Sequence, residues 1–90
     1  MENYIVHCQG LEQYGDEQDW YKFKFGTSYQ VTAASANNAI AYVLLKLGEI
    51  NNDWWMEYPT TVSTWQNWND YLLTLDDDLA QSKRNNVVKL

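Results

Sequence analysis

SANNAIAYVLLKLG, residues Ser35 to Gly48, has the spacing of one amphipathic helix with both ends marked. Ala36, Ala39, Ile40, Val43, Leu44 and Leu47 recur every three or four positions, so a chain turning once in about 3.6 residues gathers them into one stripe. Ser35 is a residue type that accepts the orphan amide hydrogens of a first turn, and Gly48 one that closes a last turn in the left-handed conformation. Burying Ile40, Val43, Leu44 and Leu47 contributes roughly 1.5 to 3 kcal/mol each before the entropy of ordering the chain is subtracted. Such a stripe needs an apolar surface to lie on.

Upstream of the helix the sequence offers three strands. Asn3 to Gln9 alternates, with Tyr4, Val6 and Cys8 on one side and Ile5 and His7 on the other, and both sides are apolar enough for a central strand. Gly10 to Asp19 collects two glycines and four acids and reads as a long mobile connection. Trp20 to Phe25 alternates again, Tyr21, Phe23 and Phe25 against Trp20, Lys22 and Lys24. Gly26, Thr27 and Ser28 then form a turn, and Tyr29 to Ala33 returns as the second arm of a hairpin. The helix stripe is expected across the Tyr21, Phe23 and Phe25 face.

Downstream, Trp54 to Tyr58 reads as a short edge strand stopped by Pro59. From Ser63 the pattern is helical, with Trp65, Trp68, Leu72, Leu75 and Leu79 on one stripe and a capping box formed by Ser63 and Gln66. Asp76, Asp77 and Asp78 suit a helix start and oppose a helix end, so this segment is either one helix to about Arg84 or two helices broken near Thr74. Val87 and Val88 belong to a frayed tail or a short added strand. The expectation is a single α+β domain over residues 1–90, in which an antiparallel sheet of three to four strands carries two helices on one face.

Ninety residues are enough for one core, and a hydrophobic fraction of 46% excludes a wholly disordered chain. The apolar run Ile40 to Leu45 is far short of the roughly 20 residues that span a bilayer. The opening MENYIVHCQG lacks the basic and apolar regions of a secretory signal, and the lone Cys8 permits no internal disulfide, so a reducing, cytoplasmic setting is expected. A net charge of −6 repels nucleic-acid phosphates and anionic membranes and suits a basic partner.

The inventory for chemistry is thin. His7 and Cys8 are adjacent in a strand and point to opposite faces, which prevents them from forming a dyad with each other. Asp76 to Asp78 diverge by about 100 degrees per residue on a helix and cannot all ligate one ion. No phosphate-cradling glycine loop, zinc spacing or serine-elbow motif is present. The reading is therefore a non-enzyme with no metal and no cofactor.

Five tryptophans and seven tyrosines exceed what a core of this size readily encloses. Trp54 and Trp55 are adjacent in a strand and cannot both enter the core, and exposed indole beside charge is the usual make-up of a binding hot spot. Trp65 and Trp68 are expected to seal the seam between the second helix and the sheet. The functional reading is a protein-binding module, an inhibitor that docks on a basic, nucleic-acid-binding surface without binding nucleic acid itself. Glu12, Asp16, Glu17 and Asp19 supply charge, and Trp54, Trp55 and Tyr58 supply contact area. In size and charge the chain resembles the small acidic anti-restriction and anti-CRISPR proteins of phages and mobile elements, a likeness of composition with no shared motif. The alternatives are a structural protein that pairs with a second copy of itself through exposed aromatics, and a carbohydrate-binding module using the tryptophans.

Overall fold

A computed structural model describes residues 1–14, 19–22, 26–51 and 55–90, with side chains omitted for 12–14, 19–22 and 55. The fold is α+β with a small sheet, in the order β1 (Glu2–Tyr14), β2 (Asp19–Lys22), β3 (Ser28–Ala33), α1 (Ala36–Ile50), β4 (Trp55–Thr64), α2 (Trp65–Leu72), α3 (Asp77–Asn85) and β5 (Val87–Lys89). β1 is the axis. It pairs with β4 along one edge, and with β3 and then β2 along the other, all antiparallel. β5 adds to the outside of β3 in parallel, so the sheet is mixed rather than wholly antiparallel. Three residues after a helix carry no pattern that fixes strand direction, and β3 simply had a free edge to pair.

β1 buries both of its faces, as its alternation requires. Tyr4, Val6 and Cys8 join Tyr29, Val31 and Ala33 of β3 in one cluster with Ala39, Val43 and Leu47 of α1. Ile5 points the other way and joins Trp68, Leu72 and Ala80 in a second cluster, backed by Leu75 and Val87. The two helical regions thus lie on opposite faces of the sheet and not on one face. A strand apolar on both sides is satisfied only when both sides are covered.

α1 begins where expected: the Ser35 hydroxyl accepts the Asn38 amide hydrogen at 3.2 Å. Its end differs. Gly48 is helical, and the helix runs on to Ile50 with Asn51 as its cap. The Asn51 side chain donates to the Glu57 carbonyl at 3.0 Å and accepts the Glu57 amide at 2.8 Å, so β4 fixes the stop that Gly48 alone does not. The buried stripe is narrower than its sequence pattern: Ala39, Val43 and Leu47 are buried, whereas Leu44 is 53% exposed. The expected contact of α1 with Tyr21, Phe23 and Phe25 falls outside the described side chains.

Three boundaries move for physical reasons. Gly10 to Tyr14 belongs to β1 and not to a connection, because Gly10 to Glu12 pair with β4 and Leu11 to Tyr14 with β2, and these ladders hold the stretch extended despite its glycine and acid. β2 and β3 both run against β1, so Gly26 to Ser28 does not turn a hairpin. Instead the return chain takes six steps from Lys22 to Ser28 where β1 takes four from His7 to Leu11. Gly26 serves close approach there: a Cβ at this position would overlap the Cys8 carbonyl oxygen, while Cys8 donates its amide to Thr27 at 2.9 Å. β4 passes through Pro59, which a lone edge strand tolerates, and its register shifts beside His7 and Cys8 so that Thr60 is the extra residue.

The second half follows the broken-helix alternative. Thr64, not Ser63, caps α2 by accepting the Asn67 amide at 3.1 Å, since Ser63 is still paired with Ile5 in the sheet. Asp76 caps α3 by accepting the Leu79 amide at 2.9 Å, with Asp77 and Asp78 in the first turn and Lys83 and Arg84 in the last. Each charge sits where the helix dipole favours it.

Candidate functional site

The residues singled out for docking divide into those the fold gathers and those outside the described residues. Glu12 lies in β1 with Tyr21 as its partner on one side and Trp55 on the other. Asp19 opens β2 opposite Tyr14. Tyr58 is partly buried in β4 opposite Gln9. Glu12 and Trp55, remote in sequence, therefore meet at one end of the sheet, with Asp19 two rungs from Tyr21 in β2. Asp16, Glu17 and Trp54 lie outside the described residues, as do the side chains of Glu12, Asp19 and Trp55. The tryptophans of α2 divide: Trp68 is buried against Ile5, while Trp65 is exposed and does not seal the seam.

Next to this end, on the α1 face, lies a buried carboxylate that no sequence pattern marks as special. Glu57 is only 4% exposed, its Oε2 accepts from the Tyr29 hydroxyl at 2.7 Å, and its Oε1 has no hydrogen-bond partner among the described residues. Burial raises the Tyr29 hydroxyl pKa, and the Glu57 hydrogen bond raises it further. Burial, and after it the Glu57 charge, push the Cys8 thiol up to about 12, which leaves a neutral core sulfur with little nucleophilic character. Glu57 is anchored through its backbone by Asn51, so the carboxylate is held in place from both ends.

The opposite face carries a cleft of about 720 Å³ between the sheet and helices α2 and α3. The side chains of β3 and β4 that turn away from α1 are polar: Ser28 is paired with His7, and Thr61 and Ser63 follow on β4. α2 and α3 cover the Ile5 end of this face and leave the His7 end open, with Asn67, Trp68, Tyr71 and Lys83 around it. His7 Nδ1 is 2.8 Å from Ser28 Oγ, and the imidazole packs on Trp68 with ring centroids 5.1 Å apart. Burial, then the nearby Lys83 charge, lower the His7 pKa and favour the neutral ring. The Ser28 contact reads most simply as a cross-strand pair that satisfies a half-buried imidazole. His7 and Ser28 are 21 residues apart, and only the antiparallel register of β1 with β3 brings them opposite each other.

A further exposed feature is the outer side of α1, where Lys46 and Glu49 are the only charges in the helix and Leu45 is 70% exposed beside Leu44. Among the described residues no group of three or more His, Cys, Asp and Glu side chains could hold a metal ion, and no helix is long and apolar enough to cross a membrane. No protein-family model matches the chain, and neither does any curated protein or any solved structure.

Proposed function

We propose that this chain is a small acidic, non-enzymatic protein-binding module that inhibits a larger protein by docking on its basic, nucleic-acid-binding surface. The observation that supports the reading is the register of β1, which sets Glu12 between Tyr21 and Trp55 at one sheet end. Charge clustered there speeds encounter with a basic groove, and aromatic area slows departure. Glu12, Asp16, Glu17 and Asp19 act in the first step and Trp54, Trp55 and Tyr58 in the second. No cofactor or metal is needed.

The test is affinity capture from cell extract at low and moderate salt with duplex DNA as competitor. The expected partner is a nucleic-acid-binding protein that DNA displaces. Neutralising Glu12, Asp16, Glu17 and Asp19 together slows its association and flattens the salt dependence. Retention and rates unchanged by that fourfold substitution would remove the reading.

A second reading, self-association, is favoured by one observation: Leu44 and Leu45 stand exposed on a nearly uncharged helix. It predicts a dimer by light scattering at micromolar concentration that Leu45→Lys dissociates. A wild-type monomer at that concentration excludes it.

A further inference from the structure

The cleft on the α2 and α3 face differs in character from the rest of the molecule. In a chain of net charge −6, no carboxylate lines it among the described residues, and Lys83 is the cation among them. Among the described residues Lys83 makes no ion pair, so no described carboxylate neutralises its positive charge. Around it stand hydroxyls from Ser28, Thr61, Ser63 and Tyr71 and the amide of Asn67. Hydroxyls and amides both donate and accept, which is the pattern a polyhydroxylated ligand presents in return. A lysine ammonium with neighbouring N–H and O–H donors is the pattern an oxyanion requires. Trp68 supplies an apolar wall held rigid by contacts with His7 at 5.1 Å and Tyr71 at 6.0 Å between ring centroids. The volume, about 720 Å³, lies within the range of sites that hold small organic ligands.

We propose that this cleft binds a small phosphorylated polyol, its phosphoryl oxygens held by Lys83, His7 and Ser28 and its hydroxyls by Asn67, Thr61 and Ser63. The site is independent of the docking end, since it uses the opposite face of the sheet from the Glu57 anchor and none of the acidic or aromatic docking residues. An arriving oxyanion also relieves the conditions that keep His7 neutral: it compensates Lys83 and accepts a hydrogen bond from the ring. The position of Lys83 in the last turn of α3 has a structural use as well, facing the carbonyl end of that helix. The controls below separate that use from binding.

Isothermal titration calorimetry in a phosphate-free buffer, with glucose 6-phosphate, inorganic phosphate and glucose as probes, tests the proposal. Glucose 6-phosphate is expected to bind at roughly millimolar or tighter affinity, and the other two at least about tenfold more weakly. Lys83→Gln weakens it about tenfold, the usual effect of losing one charge-assisted contact, and Ser28→Ala weakens it a few-fold. Lys46→Gln makes the same change in net charge on α1 and leaves binding intact. Amide resonances of His7, Ser28, Asn67 and Lys83 shift in wild-type protein on titration while those of α1 stay still, which reads the site without any variant. Absent binding of glucose 6-phosphate overturns the proposal, and so does an equal loss in Lys46→Gln or none in Lys83→Gln. Glucose alone binding as tightly overturns the anion half, and inorganic phosphate alone binding as tightly overturns the polyol half.

Discussion

His7 and Cys8 are neighbours in β1, yet they report two different solvents. Cys8 faces α1, in a layer closed by Tyr29, Val31, Ala39 and Val43, where burial leaves its thiol neutral at any ordinary pH. His7 faces α2 and α3, where the packed part shrinks to Ile5, Trp68, Leu72 and Ala80 and polar side chains line the remainder. One strand thus divides the protein into a dry side that holds the fold together and a wet side with room for a ligand. The difference starts in β3, whose inward residues are Tyr29, Val31 and Ala33 and whose outward ones are Ser28, Gln30 and Thr32. A period of two assigns each set to one face.

The largest effect should come from the dry side. Val43 is fully buried at the centre of the α1 stripe, so Val43→Asp sets an unpaired carboxylate into apolar packing. A loss of about 4 kcal/mol or more is expected, a large part of the roughly 5 to 15 kcal/mol that holds a domain folded. Circular dichroism should show a largely unfolded chain at room temperature. A urea midpoint near wild type would mean that α1 does not seal the core.

The wet side should be weaker but not dispensable. Leu72 is buried under Ile5, and Leu72→Ala should lower stability by about 2 to 5 kcal/mol, whereas its neighbour Leu73, 78% exposed, should tolerate alanine within about 0.5 kcal/mol. Equal effects in urea melts would erase the boundary between the cluster and the surface. Gly26→Ala follows, at about 1 to 3 kcal/mol, because the new methyl must displace the Cys8 carbonyl from its place in the sheet.

How much of this contrast the residues announced depends on the range of the interaction that fixes each part. The α1 stripe, the Ser35 cap, the two-sided apolarity of β1 and the acidic start at Asp76 are local patterns, and the fold keeps them. The side on which α2 lies, the direction of β5, the passage of β4 through Pro59 and the true cap Thr64 depend on partners far along the chain. The docking residues show the same limit. Composition marks Glu12 and Trp55 separately, and only the ladder sets them opposite each other. Glu57 looks like one more surface acid until β4 turns it toward Tyr29. Lys83 and Ser28 carry no motif at all, because a cleft formed by a sheet face and two helix ends has no signature in contiguous sequence.

Gly48 offers a smaller test of where α1 ends. A glycine in the left-handed conformation would resent a side chain, but here it is helical, and a Cβ at this position meets no heavy atom within 4 Å. Gly48→Ala should therefore stabilise the protein by about 0.4 to 1 kcal/mol through a less flexible unfolded chain and better helix propensity. A loss of similar size would restore Gly48 as the helix stop.

The smallest effect returns to His7. Its pKa in the folded protein lies below the ordinary 6.5, held down first by burial and then by the Lys83 charge. Between the folded and unfolded values the unfolded chain binds more protons, so acid favours unfolding there. The contribution of His7 is fully present above about 6.5 and is lost as pH falls from that value to the folded one. Every carboxylate is common to both proteins, so urea midpoints between pH 7.5 and 5.5, wild type against His7→Asn, isolate the histidine. The wild-type midpoint should fall over this window and that of the variant should fall less. Identical slopes would mean that the imidazole is solvated as in the unfolded chain, and the wet side would then be open water around His7 rather than a cleft with walls.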